Sequence, residues 1–467
     1  MNVSPEKADI ILVHIDSWMQ SNSGLAILDP YLKQHGVNSL IVSGSELDRY
    51  IDKADVFGFS VLNYLYRTAQ ELTRRVAHKA VIWGGWAPTS DPELMLRENP
   101  GVDYVILREG EQRLLHLLRS FTQPELFDQI DGIAYRDHHD AIIVRPPVEF
   151  VDLNELPRPN KLATVQEVVF IELARGCYGR CYYCQDVATM RFKRAQNAAD
   201  EIQAWHDEGY EIFHLGNANS AANGRLLQEL FSELEARKLR VRISIVGRPE
   251  DFLRNANAIE RLFQSEIIRP CAVELGIEAN SQRALDLLGR RTTPEKNARA
   301  LAMLLQLREK CAPDVKILAY MILFPHYDMT LEDFVANVTF IGQYQCSQDV
   351  ISLYLIGLRN TQIWHEMQSR GLVDHSKERL QILRYPFTDP VVDALCRKLV
   401  RIPQKRWFEQ QKLHTQIGNL EFQAQIYKKI LEFYHSGNIM ESVIEFINTP
   451  DINDFMSVID TPTKSKT

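Results

Sequence analysis

Three cysteines fall within eight residues, in the run Ala174-Arg-Gly-Cys177-Tyr-Gly-Arg-Cys181-Tyr-Tyr-Cys184. Thiolates on one tight loop can each take one iron of a cubane cluster. The fourth iron then keeps an open position for a small chelating molecule. A structural zinc site is the competing reading, but zinc closes its shell with a fourth Cys or His. The nearest histidines, His206 and His214, do not stand at finger or ribbon spacing. Cys271, Cys311, Cys346 and Cys396 are scattered along the chain and read as buried small hydrophobes, so no second cluster is expected.

Such a loop needs a scaffold, and the hydrophobic pattern supplies one. Short apolar runs at Asp9–His14, Ser39–Ser43, Asp55–Ser60, Lys79–Trp83 and Asp103–Leu107 alternate with helical stretches. That alternation predicts a parallel, doubly wound sheet over residues 1–120. Ligands of such sheets bind at the carboxyl ends of the strands, here the loops Ile15–Gly24, Val61–Tyr64, Gly84–Thr89 and Arg108–Glu111. Residues 121–165 read as a connector, a hairpin (Ile130–Tyr135, Ala141–Arg145) followed by the linker Leu156-Pro-Arg-Pro-Asn160. A second series of strands starts at Val168, Ile212, Val241, Ala272, Ile317 and Ile351. Six βα units over 166–371 suit a partial barrel, with chemistry at the C-terminal mouth of its strands. Residues 372–467 turn helical and aromatic (Trp407, Phe408, Phe422, Tyr427, Phe433, Tyr434) and are expected to cap that mouth and shape a substrate pocket; packing against the barrel is the plainer reading.

The cysteine spacing, C-x3-C-x2-C with the aromatic Tyr183 before the last cysteine, resembles the signature of the radical S-adenosylmethionine (SAM) superfamily. Further stretches match in order. Glu274-Leu-Gly-Ile-Glu278 through Ser281-Gln282 and Thr292 resembles the family's G-I-E-S…S-Q segment, with Ala279 in place of serine. Phe324-Pro325…Thr330-Leu-Glu-Asp333 resembles its P-G-E-T-x-E-D turn, with two additional residues and no glycine after the proline. Asn360-Thr361-Gln-Ile-Trp364…Gly371 resembles its P-G-T-x-x-Y…G element. The resemblance implies a [4Fe–4S] cluster on Cys177, Cys181 and Cys184, and SAM bound through the open iron and cleaved to a 5′-deoxyadenosyl radical. It places Gly216, Asn217 and Asn219, after the second barrel strand, near the methionyl amino group; an Asx turn is the structural alternative there. Arg248 and Glu278, at the ends of the third and fourth strands, are the expected contacts for carboxylate and ribose; a solvated surface pair is the alternative.

The order of domains adds a second resemblance. A doubly wound domain, Glu109-Gly-Glu111, a hairpin, Leu156-Pro-Arg-Pro159 and then the cluster loop resembles the cobalamin-binding subgroup of radical SAM enzymes. It implies cobalamin contacts from Gly84, Gly85, Thr89, Gly110 and Glu111. The motif D-x-H-x-x-G, whose histidine ligates cobalt from below, is absent: His14 precedes Asp16. Asn63, Tyr64 and Trp86 are then the candidates for the lower face. A Rossmann-like remnant that serves only docking is the competing reading of this domain.

The formal charge of -8 gives no basic footprint for nucleic acid, and no apolar run is long enough to span a bilayer. A polar N-terminus without a signal-peptide core places the chain in the cytoplasm, where clustered cysteines serve metal or redox chemistry. The expected activity is a cobalamin-dependent methyltransferase acting on an unactivated carbon of a small molecule or natural product. A non-methylating radical enzyme of the same architecture (cyclisation, ring contraction or oxidation) is the alternative, and a non-catalytic scaffold the third reading. An electron donor such as flavodoxin or ferredoxin is the partner the resemblance implies.

Overall fold

The computed structural model describes residues 7–15, 23–165, 167–185, 189–216, 219–347, 351–373, 380–382, 385–401 and 416–449. The predicted loop Ile15–Gly24, Asn217, and the aromatic residues Trp407 and Phe408 fall mainly or wholly outside this set. The chain divides into two compact units. The first holds 1–276, 295–318 and 356–384; the second holds 277–294, 319–355 and 385–467.

The first unit opens with strands β1 (Ile10–His14), β2 (Ser39–Ser43), β3 (Val56–Ser60), β4 (Ala80–Gly84), β5 (Tyr104–Ile106), β6 (Ile133–Arg136) and β7 (Ile142–Arg145), in the order β2-β1-β3-β4-β5-β6-β7. β1 to β5 are parallel. Both faces are covered, which is why β1 reads as a continuous apolar run: Ile11 and Val13 belong to one core, Ile10 and Leu12 to the other. The order 2-1-3-4-5 puts the topological switch between β1 and β3, where doubly wound sheets hold their ligands. One boundary reading is corrected. The hairpin taken as a connector is part of this sheet, because β6 pairs antiparallel with β5, from Ile106↔Ile133 to Tyr104↔Tyr135. Burial of Ile133 and Ala134 against the edge of β5 favours pairing over a free-standing ribbon.

A second sheet follows, from β8 (Thr164–Val165) and β9 (Val168–Glu172) through β12 (Ile212–Gly216) and β13 (Val241–Gly247) to β14 (Ile268–Glu278). β9, β12, β13 and β14 pair in parallel, and helices Ala195–Asp207, Gly224–Ala236 and Ala256–Gln264 separate them in sequence. A two-residue ladder, β10 (Ala174–Arg175) with β11 (Arg191–Phe192), closes the base of the cysteine loop. β15 (Lys316–Phe324) extends the sheet and passes into the second unit, where it pairs in parallel with β16 (Ile351–Tyr354). The six βα strands read from the sequence are therefore all present, in barrel order.

In the second unit, Thr330 and Asp333 form a capping box on helix Leu331–Tyr344. Asp333 also accepts hydrogen bonds from Ser281 and Arg283. The family-like Thr330…Asp333 turn thus has a local structural reason. Buried Asn337 ties the same helix to β15 through Ile322 O and Leu323 O, and accepts from Asn280 N at 2.7 Å. The C-terminal helices 416–435 and 439–448 pack through Phe433 on Phe334 and Phe446. No described helix is long and apolar enough to cross a membrane.

Candidate active site

The cysteine loop hangs from β10 and β11 at the end of β9. Its backbone turns through Gly176, which has a positive φ of 79°. Cys184 N donates to Cys181 O at 3.2 Å, and Gly179 N faces Cys177 Sγ at 3.4 Å. Arg248, which ends β13, is buried and reaches into the loop, its Nη1 3.4 Å from Cys181 Sγ. A side chain at Gly179 would collide with that guanidinium, 2.5 Å from the Cβ position. The glycine therefore makes room for the cation. Glu250, hydrogen-bonded to Arg248 Nε, fixes its orientation.

A second group of contacts braces the loop from β12. Tyr178 Oη donates to Asp251 Oδ2 at 2.6 Å, and Asn219 Nδ2 donates to the same oxygen at 2.6 Å. Burial, then the hydrogen bond to Asp251, pushes the Tyr178 hydroxyl above its ordinary pKa, so it stays a donor. Asn219 is fully buried, and its Oδ1 has no hydrogen-bond partner among the described residues. An orphaned buried acceptor has a desolvation cost that a bound donor would offset. Asp251, which holds this bracing together, was not singled out in the sequence. Its position in the first turn after Arg248-Pro249 was the available signal.

A cavity of about 380 Å³ joins the cysteine loop to the first sheet. Cys181 and Cys184 line it on one side, and Trp86 and Thr89 on the other. Arg359 and Asn360 complete the wall. Arg359 Nε donates to Asp91 at 2.6 Å, Asn360 donates to Ser90 O, and Ile363 N donates to Tyr182 O at 3.0 Å. The segment 359–363 thereby binds both walls. Asn360 has a φ of 59° in the left-handed region, which asparagine tolerates better than most residues. Arg108 begins a loop expected to meet ligands and Arg180 belongs to the cysteine loop, whereas Gln185 and Arg359 were not anticipated as lining residues.

Several expected cobalamin contacts have other partners. Glu111 is buried and its Oε1 accepts from Arg175 Nη2 at 2.6 Å. Burial opposes its ionisation, but the charge and hydrogen bond of Arg175 outweigh that and hold its carboxyl below the ordinary value. Arg175 also pairs with Glu172 at 2.8 Å and Glu109 at 3.3 Å. The Glu109-Gly-Glu111 run thus anchors the strand preceding the cysteines. Removing the cation in Arg175→Ala would strand buried carboxylates and cost about 3–5 kcal/mol. The expected result is a clearly lowered unfolding temperature, measured by calorimetry; an unchanged transition would mean the network carries no weight. The stabilisation from Glu111 is present above its ordinary pKa and lost as pH falls through the depressed folded value.

Gly85 also has a local structural reason. Its φ is 102°, and a Cβ there would stand 2.7 Å from Val61 O, so backbone packing already demands glycine. Gly110 lies against Leu28. A Cβ at Gly84 would be in ordinary contact with Ile106 O, 3.9 Å away. Asn63 follows β3 with a buried, unpartnered Oδ1 among the described residues, and Tyr64 is exposed. Of the remaining SAM candidates, Gly216 ends β12, Tyr183 is half-buried, and Asn217 lies outside the described residues. Glu278 belongs to the second unit and has a φ of 67°, with Ala279 N bonded to Ile277 O. Strained non-glycine residues of this kind cluster at functional sites.

The donor set fits a cubane: thiols on one loop, a buried cation beside one of them, and an orphaned acceptor, Asn219 Oδ1, in the turn after β12. Among the described residues, no three His, Cys, Asp or Glu side chains converge on a single ion. A cubane loop does not require that, because each thiolate takes its own iron. Cys346 and Cys396 are buried, as expected, and burial pushes their thiols up to about 12, but Cys271 and Cys311 are only partly buried, which corrects the reading of all four as core residues. Anaerobic protein should therefore contain about four irons and four sulfides per chain. Cys271→Ala, Cys311→Ala, Cys346→Ala and Cys396→Ala should all retain them; iron loss in a folded variant of this set would reassign the ligands.

Fold and site together define a chain in which a doubly wound cofactor domain delivers its strand-end loops to a cysteine triad on a partial βα barrel. Residues 171–336 match the model of the radical SAM superfamily and residues 20–118 match the B12 binding domain; the chain carries a radical SAM domain and a B12 binding domain. These domains imply a [4Fe–4S] cluster, SAM and cobalamin. The chain is similar to the anaerobic magnesium-protoporphyrin IX monomethyl ester cyclase of Synechocystis sp., at 25% identity over 49% of this chain and 48% of that protein. It spans about half the length of the curated relatives it matches. Its fold is similar to that of the cobalamin-dependent SAM radical enzyme OxsB, solved with aqua-cobalamin and SAM bound. There the TM-score is 0.73 at 16% identity, covering 98% of this chain and 76% of that one. The radical SAM methyltransferase TsrM from Kitasatospora setae aligns with a TM-score of 0.62 and 16% identity over 78% and 76% of the two chains.

Proposed function

We propose that the chain is a cobalamin-dependent radical methyltransferase acting on an unactivated carbon of a small-molecule or natural-product substrate. The observation that carries this reading is the single cavity walled by Cys181 and Cys184 on one side and by Trp86 and Thr89 on the other. Methyl transfer to a substrate radical needs both cofactors beside one substrate, and this cavity is lined both from the cysteine loop and from the strand-end loops of the first sheet.

When bound, the cluster and SAM supply the radical that removes a substrate hydrogen, and cobalamin supplies the methyl group. The chain's own residues bind and orient. Cys177, Cys181 and Cys184 hold three irons. Arg248 offsets charge at the Cys181 sulfur and stands where a carboxylate can dock. Asn219 Oδ1 would accept from an ammonium, with Gly216 at the end of β12; Asn217, also a candidate, lies outside the described residues, and Glu278 is the candidate for the ribose. Gly84, Trp86, Thr89 and Asn63 stand on the loops that would hold cobalamin, and Asn63, Tyr64 and Trp86 are the side chains that would meet it there in place of a histidine. Arg359, fixed by Asp91, holds the two walls together and limits the entry of water. The cytoplasm is the proposed location and a flavodoxin or ferredoxin the proposed electron donor.

A non-methylating reaction is the second reading, favoured by the similarity to a cyclase. Product mass separates the two. Reconstituted enzyme given SAM and reductant should return substrate heavier by one methylene; a product of unchanged or lower mass would remove the methyltransferase reading.

A further inference from the structure

Inside the barrel sheet, below the level of Gly216, three polar side chains stand in neighbouring register on successive strands. His214 of β12 lies opposite Phe170 of β9 and Ser244 of β13, and Glu274 of β14 lies one step above Ser244. Their strand neighbours Phe213, Leu215, Ile245, Val273 and Leu275 are fully buried under the helices. His214 and Glu274 instead keep 17% and 19% of their side-chain surface exposed. Strand-centre residues on the face away from the helices can meet solvent only through the barrel interior. The three therefore line its lumen.

Their hydrogen bonds assign the tautomer. Ser244 Oγ donates to Glu274 Oε1 at 3.5 Å and stands 2.9 Å from His214 Nδ1. A hydroxyl has one proton. With that proton turned to the carboxylate, Oγ accepts from Nδ1–H, and Nε2 keeps its lone pair. Burial lowers the His214 pKa, in keeping with a neutral ring. The Cδ2 edge lies beneath Gly216, 3.4 Å from where a Cβ would stand, so the ring extends along β12 toward the mouth. Phe170 packs edge-on at 5.2 Å and holds the ring in place.

We propose that His214 Nε2 is a substrate-binding acceptor in the barrel lumen, oriented by Ser244 and Glu274, and that the substrate presents a hydrogen-bond donor to it, a hydroxyl or an ammonium. The carboxylate at the end of the relay strengthens the acceptor, as a second partner does for any oriented imidazole. Nothing in the cluster, SAM or cobalamin contacts uses these residues. The proposal rests on the enzyme reading of the barrel but not on methyl transfer.

Two measurements on reconstituted holoenzyme test it. Diethyl pyrocarbonate, which acylates unprotonated imidazole nitrogen, should modify His214 in wild-type protein, located by peptide mapping. Failure to modify His214 while exposed histidines react overturns the lumen-facing acceptor. Crystals soaked separately in ethylene glycol and in ethylammonium chloride should show the probe's oxygen or nitrogen within hydrogen-bonding distance of Nε2. The probe that seats tells hydroxyl from ammonium, and absence of both overturns the proposal. The seat should be lost in His214→Phe and retained in His214→Gln, whose amide oxygen replaces the acceptor. Loss in both variants, with the ring network of the wild type intact, would reduce His214 to packing. Neither readout involves product mass, so failure of the methyltransferase reading is seen separately.

Discussion

Replacing Cys177, Cys181 or Cys184 by alanine is expected to abolish reductive cleavage of SAM, with cleavage falling to the level of protein without iron. The physical reason is stoichiometric. Each thiolate takes a different iron, and no fourth cysteine of the chain belongs to the same loop. Losing one exposes two open irons and a labile cluster. Arg248→Ala makes a graded companion. It removes the cation 3.4 Å from Cys181 Sγ while leaving the thiols, so iron should be largely retained while SAM binding weakens. 5′-Deoxyadenosine formation under dithionite, read by chromatography beside iron content, checks both. Full cleavage by any of the triad variants would disprove the ligand assignment.

Blocking the first sheet at its strand ends should remove cobalamin without removing iron. Gly84 is the position for this experiment. Its φ is not positive and a Cβ there would meet Ile106 O only at an ordinary contact distance of 3.9 Å, so a side chain can be attached without the backbone clash found at Gly85. Gly85 would be a poor choice, because any side chain there meets the backbone of Val61 and the loss would report misfolding. Wild-type protein reconstituted with hydroxocobalamin should hold about one equivalent through desalting, seen in its visible spectrum, and Gly84→Trp far less at equal iron. Trp86→Ala, which removes a half-exposed wall of the cavity, should give an intermediate loss. Wild-type protein that retains no cobalamin yet turns over its substrate would defeat both the cobalamin site and the methyltransferase reading.

The two predictions stand on different footings. The triad is a local property of eight consecutive residues, closed at its base by the ladder of β10 and β11. The cobalamin prediction depends on loops far apart in sequence. Asp91 and Arg359 are 268 residues apart, yet their ion pair at 2.6 Å fixes one wall of the cavity to the other. Disrupting that pair, as in Arg359→Ala, would be felt in the alignment of the cofactors more than in the binding of either.

What the sequence determined is whatever has a short period or a short spacing. Continuous apolar runs such as Ile10–Val13 mark strands buried on both faces, and their alternation with helices announced a parallel sheet and then a barrel. The cysteine spacing announced an open cubane for the same reason, since its ligands are neighbours. The tertiary structure decided which side chains meet. Glu111 reads like a ligand contact in sequence, but folding brings Arg175 within 2.6 Å and a buried carboxylate takes the nearest cation. Gly85 reads like a ligand-facing glycine, but Val61 O occupies the space its Cβ would need. Arg359 and the His214–Ser244–Glu274 relay carry no spacing signal at all. Their partners lie on other strands and loops, and only the sheet register sets them side by side.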